Sequence, residues 1–220
     1  MSDLGDMGEF GLIQKLTSTL SGDKSLVCGP GDDCAVVQLG NTRLLLSCDA
    51  MVQNIHFRSD WATPASIGWK AAAAALSDIA AMGGIARWML VTLGCSSDTD
   101  PAYLEQIYRG IDELTARYGV VVVGGDTVHA PGGILLDVAV VGEMEVGSEP
   151  KYRSGAKPGD VVFVTGYPGA SALGMVGLKM IDDNTPDMLI EAHTRPQPKL
   201  AEGAWLAREL AVHAMMDVSD

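Results

Sequence analysis

The spacing of apolar residues predicts two long helices in the first half of the chain. One begins after Asp100-Pro101, an N-cap followed by a first-turn proline, and ends before Gly119. The apolar residues expected on its buried face are Leu104, Ile107, Tyr108, Ile111, Leu114 and Tyr118. The other helix is alanine-rich and covers residues 65–82, with Pro64 before it and Gly83-Gly84 as its stop. Its small side chains allow a neighbouring element to pack closely.

Short apolar runs between turn residues predict strands. In the first part of the chain these are Leu26–Cys28, Cys34–Leu39, Arg43–Cys48, Val120–Val123 and Ile134–Val141. Glycines and prolines cluster over residues 147–160 and indicate a boundary. Beyond it we expect strands at Val161–Thr165 and Ala214–Val218, and helices near residues 170–181 and 199–210. The class is therefore α/β or α+β, with one unit over residues 1–148 and another over 149–220.

Composition excludes several classes of protein. Apolar residues at 47% and charged residues at 20% are typical of a folded chain, and a net charge of −13 disfavours a nucleic-acid-binding face. The sequence near Met1 lacks the basic and apolar regions of a secretory signal, and no apolar run is long enough to cross a membrane. No two cysteines have C-x-x-C spacing, so we expect free thiols in a cytoplasmic protein.

Aspartates recur at turns and at the predicted ends of strands. Asp33 follows a G-x-G-D-D turn, Asp126 follows two glycines, and Asp78 lies late in the alanine-rich helix. Each one alone is more often a turn former or a cap. Carboxylate oxygens are also the ligands that Mg²⁺ prefers, and glycine lets a phosphate approach the backbone. Several such aspartates meeting in one cleft would suit a reaction between two phosphate groups, in which anionic repulsion must be suppressed.

Taken in order, these segments resemble thiamine-monophosphate kinases. The opening Gly8-Glu9-Phe10 and the motif Asn54-x-His56-Phe57 favour that family. Further matches are Ser47-Cys48-Asp49, Leu76-Ser77-Asp78 and Arg153-Ser154-Gly155. Three more are shared with a wider superfamily that includes aminoimidazole ribonucleotide synthetase, selenophosphate synthetase and a hydrogenase maturation factor. These are Gly29-x-Gly31-Asp32-Asp33, Gly124-Gly125-Asp126-Thr127 and Asp217-Val218-Ser219-Asp220.

The resemblance implies a two-domain, synthetase-like ATP-binding fold whose N-terminal mixed sheet carries helices on one face. It implies transfer of the ATP γ-phosphoryl group to thiamine monophosphate with several Mg²⁺ ions. The implied metal ligands are Asp33, Ser47, Cys48, Asp49, Asp78, Asp126, Asp217 and Asp220. The implied nucleotide contacts are Gly125, Asp126, Arg153 and Ser219, and His56 is the implied substrate contact. No general base is expected, because the acceptor phosphate oxygen is already ionised.

The resemblance also carries expectations about completeness and assembly. Cys48 stands where the family commonly has threonine, so a metal contact there would use the backbone carbonyl. Residues 149–220 would be the beginning of a C-terminal domain, an incomplete α/β unit, and residues 1–220 alone are expected to show no kinase turnover. A homodimer is expected through paired N-terminal sheets.

Other interpretations stay open at this stage. The chain could be another ATP-using member of the superfamily, or a non-catalytic protein that binds divalent metal or nucleotide. Without the motifs, His56 would be a packed histidine and Arg153 an ordinary loop charge. Gly166-x-x-Gly169 lacks the spacing of a dinucleotide-binding loop, and no P-loop motif exists in the sequence.

Overall fold

The computed structural model describes residues 4–209 and 211–218. The strands in this part of the chain are β1 (Leu26–Cys28), β2 (Ala35–Leu39), β3 (Thr42–Val52), β4 (Ile85–Cys95), β5 (Val121–His129) and β6 (Leu135–Glu143). The α-helices are α1 (Leu4–Thr17), α2 (Pro64–Ala81), α3 (Pro101–Tyr118), α4 (Ala170–Met180), α5 (Asp187–Thr194) and α6 (Leu200–Arg208). A short 3₁₀ turn covers Arg153–Gly155.

The six strands form one mixed sheet in the order β1-β2-β3-β6-β4-β5. Only β4 and β5 pair in parallel; the other neighbours are antiparallel. The parallel pair is joined through α3, the crossover that parallel strands require. The prediction of a mixed N-terminal sheet is confirmed.

Helix α2 covers one face of the sheet and is itself covered by α3. Trp69, Leu76 and Ile79 of α2 are fully buried, as are the sheet residues Val91 and Val138. No described helix covers the opposite face, which we call the uncovered face; it exposes apolar side chains of β4, with Trp88 45% and Leu90 42% exposed. Helices α2 and α3 therefore lie on one side of the sheet, as expected.

Two glycines allow α2 and α3 to touch through their backbones. A Cβ placed on Gly68 would lie 1.9 Å from the carbonyl oxygen of Ile107, and one on Gly110 would lie 1.8 Å from that of Ala65. The predicted caps of α3 are also present. Asp100 accepts a hydrogen bond from the Ala102 N–H, and Gly119 ends the helix in the left-handed conformation. Tyr108, expected on the buried face, is instead 36% exposed.

Two strands are longer than predicted, and this corrects the position of their aspartates. Strand β3 continues past Asp49 to Val52, because β6 pairs with it as far as the Val52–Leu135 partners. Strand β5 continues through Asp126 to His129, because β4 pairs with it throughout. Asp49 and Asp126 therefore lie inside strands, not at their ends. Strand β4 and helices α1 and α5 were not predicted.

The regular structure beyond residue 148 is helical in the described residues. Helices α4 and α6 confirm the predicted helices, but no strand forms over residues 161–165 or 214–218. No neighbouring strand among the described residues pairs with these segments, and Val162 is 92% exposed. Helix α6 packs on α2, where a Cβ on Gly203 would lie 2.1 Å from the Ala80 carbonyl oxygen. None of the described helices is both long enough and apolar enough to span a bilayer.

Trp69 joins the segment before α6 to the first unit. Its indole N–H donates to the carbonyl oxygen of Pro196 at 2.7 Å. The guanidinium groups of Arg117 and Arg195 lie 4.4 and 4.2 Å from its ring centroid. Both arginines also bond to Glu113, at 2.8 and 2.5 Å. Helices α2 and α3 thus hold the chain that leads into α6.

Candidate active site

Three carboxylates from distant parts of the chain converge beside the sheet. Asp33 lies in the turn before β2, Asp78 in the last turn of α2, and Asp217 in the extended segment after α6. Each offers one carboxylate oxygen, and these three oxygens lie within 4.8 Å of one another. We refer to Asp33, Asp78 and Asp217 as the carboxylate cluster.

Asp33 is the most buried member of the cluster. Its side chain is 0% exposed, and one of its oxygens, Oδ1, accepts a hydrogen bond from the guanidinium of Arg153. The other oxygen, Oδ2, is buried and has no hydrogen-bond partner among the described residues. An unpartnered buried carboxylate oxygen is costly unless a cation or a donor meets it.

Asp78 stands in a crowded anionic environment. Burial raises the pKa of its carboxyl to about 7; the hydrogen bond donated by Ser47 Oγ opposes this rise, and the negative charges of Asp49, Asp217 and Asp33 add to it. Ser47 and Asp49 are alternate residues of β3, so both side chains are on the face that α2 covers. A bound cation would relieve the repulsion among these groups.

Arg153 contacts the carboxylate cluster from another side. Its backbone N–H donates to Asp32 Oδ2 at 3.1 Å, while its guanidinium contacts Asp33. The hydrogen bond to Asp33 is the main reason that the pKa of Arg153 is raised. Nearby, a Cβ on Gly155 would lie 2.1 Å from the carbonyl oxygen of His213. The arginine loop therefore packs directly on the segment that leads to Asp217.

The chemistry of this cluster fits a hard divalent cation. All of its donors are carboxylate oxygens, one of them buried and unpartnered, and Ser47 adds a hydroxyl nearby. Mg²⁺ prefers such oxygens and leaves positions for water and phosphate. The guanidinium of Arg153 at the rim adds a group suited to phosphate.

His56 lies at a second part of the site, a cavity of about 840 Å³. Residues 54–61 form one wall, and residues of α4 and α5 form the other. The Val52 N–H donates to Nδ1 of His56 at 2.9 Å. A ring nitrogen that accepts a hydrogen bond carries no proton, so the proton of this imidazole lies on Nε2. His56 therefore offers one N–H donor beyond the hydrogen bond that orients it.

Comparison with known proteins assigns the chain to a family. Residues 31–144 match the family model described as AIR synthase related protein, N-terminal domain. The thiamine-monophosphate kinase of Bacillus subtilis is 37% identical over 97% of this chain and 67% of its own length. The chain belongs to the thiamine-monophosphate kinase family. The resemblance carried by the sequence motifs is thus confirmed.

Further relatives support the same assignment within this kinase family. The thiamine-monophosphate kinase of Mycobacterium tuberculosis is 38% identical over 99% of this chain and 64% of its own length. The solved structure of AaThiL complexed with AMPPCP and TMP superimposes with a TM-score of 0.88 and 32% identity, covering 99% of this chain and 68% of that one. The chain thus spans about two thirds of the length of the kinases that it matches.

The structure gathers only part of the predicted metal set. Asp126 is exposed on β5, where it pairs in register with Thr92, and its Oδ1 accepts a hydrogen bond from the Thr127 N–H at 2.8 Å. Gly125 precedes it on the same strand. Neither lies in the carboxylate cluster. Ser219 and Asp220 are outside the described residues.

Cys48 points away from the cluster, to the uncovered face of the sheet. Its thiol donates a hydrogen bond to Asp137 Oδ1 at 2.9 Å. Burial, followed by the hydrogen bond to Asp137, raises the pKa of this thiol to about 11. A protonated thiol is a poor Mg²⁺ ligand, so only the backbone of Cys48 remains as the predicted contact.

The sequence did not reveal the role of Asp32, or that His193 lines the cavity opposite His56. Asp32 accepts a hydrogen bond from the backbone N–H of Arg153 and so fixes the loop that contains Arg153. The two adjacent aspartates of the G-D-D turn were the available signal for this role. His193 of α5 lines the same cavity as His56 and contacts Ser171 Oγ through Nδ1 at 3.0 Å. Nothing in its local sequence distinguishes it from a packed histidine.

We expect His193 to make folding stability dependent on pH. Burial and then the positive charge of Lys70 lower its pKa from 6.5 to about 4. The unfolded chain therefore binds more protons than the folded one between these values, and stability falls as the pH drops from 6.5 through 4. For a half-buried group we expect a loss of about 1–2 kcal/mol after solvent screening.

The measurement is urea unfolding from pH 4 to 7 of wild type and His193→Gln. The glutamine keeps a hydrogen-bonding group near Ser171 but cannot titrate, so the curve of the variant should be flatter. His129→Gln, on the exposed part of β5, is the matched control for replacing a histidine by glutamine. Identical pH dependence in wild type and His193→Gln would contradict the assignment.

Proposed function

We propose that the protein transfers the γ-phosphoryl group of ATP directly to the phosphate of thiamine monophosphate, with Mg²⁺, giving ADP and thiamine diphosphate. The bond between Pγ and the β,γ-bridging oxygen breaks, and a bond from an oxygen of the acceptor phosphate to Pγ forms. The observation that carries the proposal is the carboxylate cluster, with its buried unpartnered Asp33 oxygen, in a chain homologous to named thiamine-monophosphate kinases. That homology favours a kinase over a non-catalytic binding protein.

The proposed Mg²⁺ ligands start from the cluster itself. Asp33, Asp78 and Asp217 would hold the ions, with Ser47 and Asp49 beside them. Asp126, Asp220 and the backbone of Cys48 complete the proposed set. When bound, Mg²⁺ neutralises the charge of the phosphates and so stabilises the transition state.

The remaining residues position the two phosphates. Arg153 offers a planar, permanently charged group to the nucleotide, and Gly125, Asp126 and Ser219 are the other proposed nucleotide contacts. His56 donates its Nε2–H to the acceptor substrate in the 54–61 cavity. The acceptor oxygen is already ionised at neutral pH and needs no general base, so the chain contributes positioning and charge neutralisation.

Thiamine diphosphate formation tests the proposal directly. The full-length protein is incubated with ATP and thiamine monophosphate, and thiamine diphosphate is quantified by chromatography. We expect product that depends on Mg²⁺ and disappears with EDTA. ATP hydrolysis without thiamine diphosphate would reject the proposed acceptor, and equal product formation in EDTA would reject the metal.

We further propose a cytoplasmic homodimer. The uncovered sheet face exposes Trp88, Leu90, Val121 and Val123, an apolar surface that suits a second copy. All four cysteines are free thiols, as is usual in a reducing compartment. Sedimentation of the full-length protein tests the dimer.

We expect His56→Ala to weaken binding of thiamine monophosphate about tenfold or more, the usual cost of losing a hydrogen bond to a charged group. The KM for ATP should stay within about twofold of wild type, because the cavity is lined by residues apart from the carboxylate cluster. Steady-state kinetics with each substrate varied provides the measurement. His56→Gln keeps an N–H donor and should recover part of the loss. An unchanged KM together with a lost basic limb in the pH–rate profile would instead indicate proton transfer by His56.

A further inference from the structure

Arg153 contacts the same carboxylate that the proposed cation needs. The ion pairs of Asp32 and Asp33 found in the described part of the chain are both with Arg153. The contact to Asp33 uses Nη2 and Oδ1, and the approach to Asp32 Oδ1 is longer, 4.0 Å from Nε. The guanidinium therefore neutralises Asp33, the member of the cluster with no exposed side-chain surface.

The backbone and the side chain of Arg153 are held separately. The backbone N–H is fixed by Asp32 Oδ2 at 3.1 Å, and Gly155 packs on the backbone at His213. The side chain is 39% exposed and reaches the cluster from its rim. A rotation of the side chain can thus carry the guanidinium away from Asp33 without moving the loop.

We propose that Arg153 competes with Mg²⁺ for Asp33 and moves to the phosphates when nucleotide binds, so that the two ligands bind cooperatively. The inference rests on the proposed function. With Arg153 on Asp33, an incoming ion meets a nearby positive charge and a carboxylate that is already paired. Nucleotide phosphate offers the guanidinium a bidentate acceptor of higher charge, and both oxygens of Asp33 then become available to the ion without a competing positive charge.

Thermodynamic linkage makes the proposal measurable without turnover. If nucleotide removes Arg153 from Asp33, nucleotide raises the affinity for the ion, and the ion raises the affinity for nucleotide by the same factor. Removing the guanidinium should make the ion alone bind more tightly. The same change should weaken nucleotide binding, because the phosphate contact is lost.

The experiment is calorimetric titration of Mg²⁺, repeated with Mn²⁺ by electron paramagnetic resonance, on the full-length protein with and without β,γ-methylene ATP. The proteins are wild type, Arg153→Ala, Arg153→Lys and Arg208→Ala. The last is a control that removes an arginine paired with Glu145 elsewhere on the surface. Thermal unfolding of each variant verifies its fold, and Arg153→Gln replaces the alanine variant if that one is unfolded.

We expect Arg153→Ala to bind the ion alone about tenfold more tightly than wild type, as expected for removing one nearby positive charge. In wild type, β,γ-methylene ATP should raise ion affinity severalfold, and in Arg153→Ala this gain should be nearly absent. Arg153→Lys should fall between them, and Arg208→Ala should match wild type.

Two outcomes would overturn the inference, and they are distinguishable. Equal or weaker ion binding by Arg153→Ala, with wild type binding normally, rejects the competition but leaves the proposed kinase and its metal site in place. With β,γ-methylene ATP present, ion binding by wild type no stronger than by Asp33→Asn, a further variant, rejects the metal role of Asp33 as well.

Discussion

Asp78→Asn should lower turnover of the full-length kinase by at least about 10²-fold, because the amide removes one proposed anionic ligand of Mg²⁺, whose charge stabilisation is worth several kcal/mol. The fold should survive this change. Burial and the neighbouring carboxylates make the charged form of Asp78 unfavourable, as its raised pKa of about 7 indicates. At pH 8 in EDTA the variant should therefore unfold at the same temperature as wild type or higher, while being nearly inactive.

Measuring both turnover and thermal stability distinguishes a metal ligand from a residue that only supports the fold. Turnover is measured at saturating Mg²⁺, and thermal unfolding is followed in EDTA. Asp98→Asn, an exposed aspartate that accepts a hydrogen bond from Ser96, is the control and should keep wild-type activity. Near-normal turnover of Asp78→Asn would remove Asp78 from the metal site. Asp126→Asn, assayed alongside, tests whether the β5 aspartate acts with the cluster despite lying outside it.

Gly110→Ala should destabilise the protein by about 3 kcal/mol or more, at the upper end of the range for overpacking. The added Cβ would lie 1.8 Å from the Ala65 carbonyl oxygen, so α3 must move away from α2. The Ala65 carbonyl is part of the backbone of α2, so it cannot rotate away from the added Cβ as a side chain could. The gain in helix propensity from alanine, about 1 kcal/mol, is too small to compensate.

Urea unfolding monitored by circular dichroism measures this loss. Gly132→Ala is the matched control, since a Cβ there meets nothing within 4 Å and the residue has no positive φ. Its stability should equal that of wild type. A Gly110→Ala protein as stable as wild type would mean that the two helices do not touch through these backbones.

Local signals in the sequence were sufficient for helices α2 and α3. The N-cap Asp100, the stop at Gly119 and the glycines after α2 are short-range features, and the structure has them where they were predicted. Strand β4 was missed for a physical reason. It lies between β6 and β5 and has apolar side chains on both faces, including the exposed Trp88 and Leu90, so it lacks the alternation that marks a half-buried strand.

The site was predictable as a set of residues but not as a geometry. Motif resemblance selected Asp33, Asp78 and Asp217, which the structure brings together. Nothing in their spacing could separate them from Asp126 or Cys48, since the face on which a strand residue lies depends on register with its neighbours. The pairing of Arg153 with Asp33 likewise depends on long-range packing.

The attachment at Trp69 has a mechanical consequence for catalysis. Because Arg195, Pro196 and α6 are held on α2, they would move with α2 as one body in any opening of the cavity. A hinge for substrate entry would then lie before Arg195, where α4 and α5 form the wall of the cavity opposite His56. Opening there would widen the entrance to the cavity while Asp33 and Asp78 keep their mutual distance.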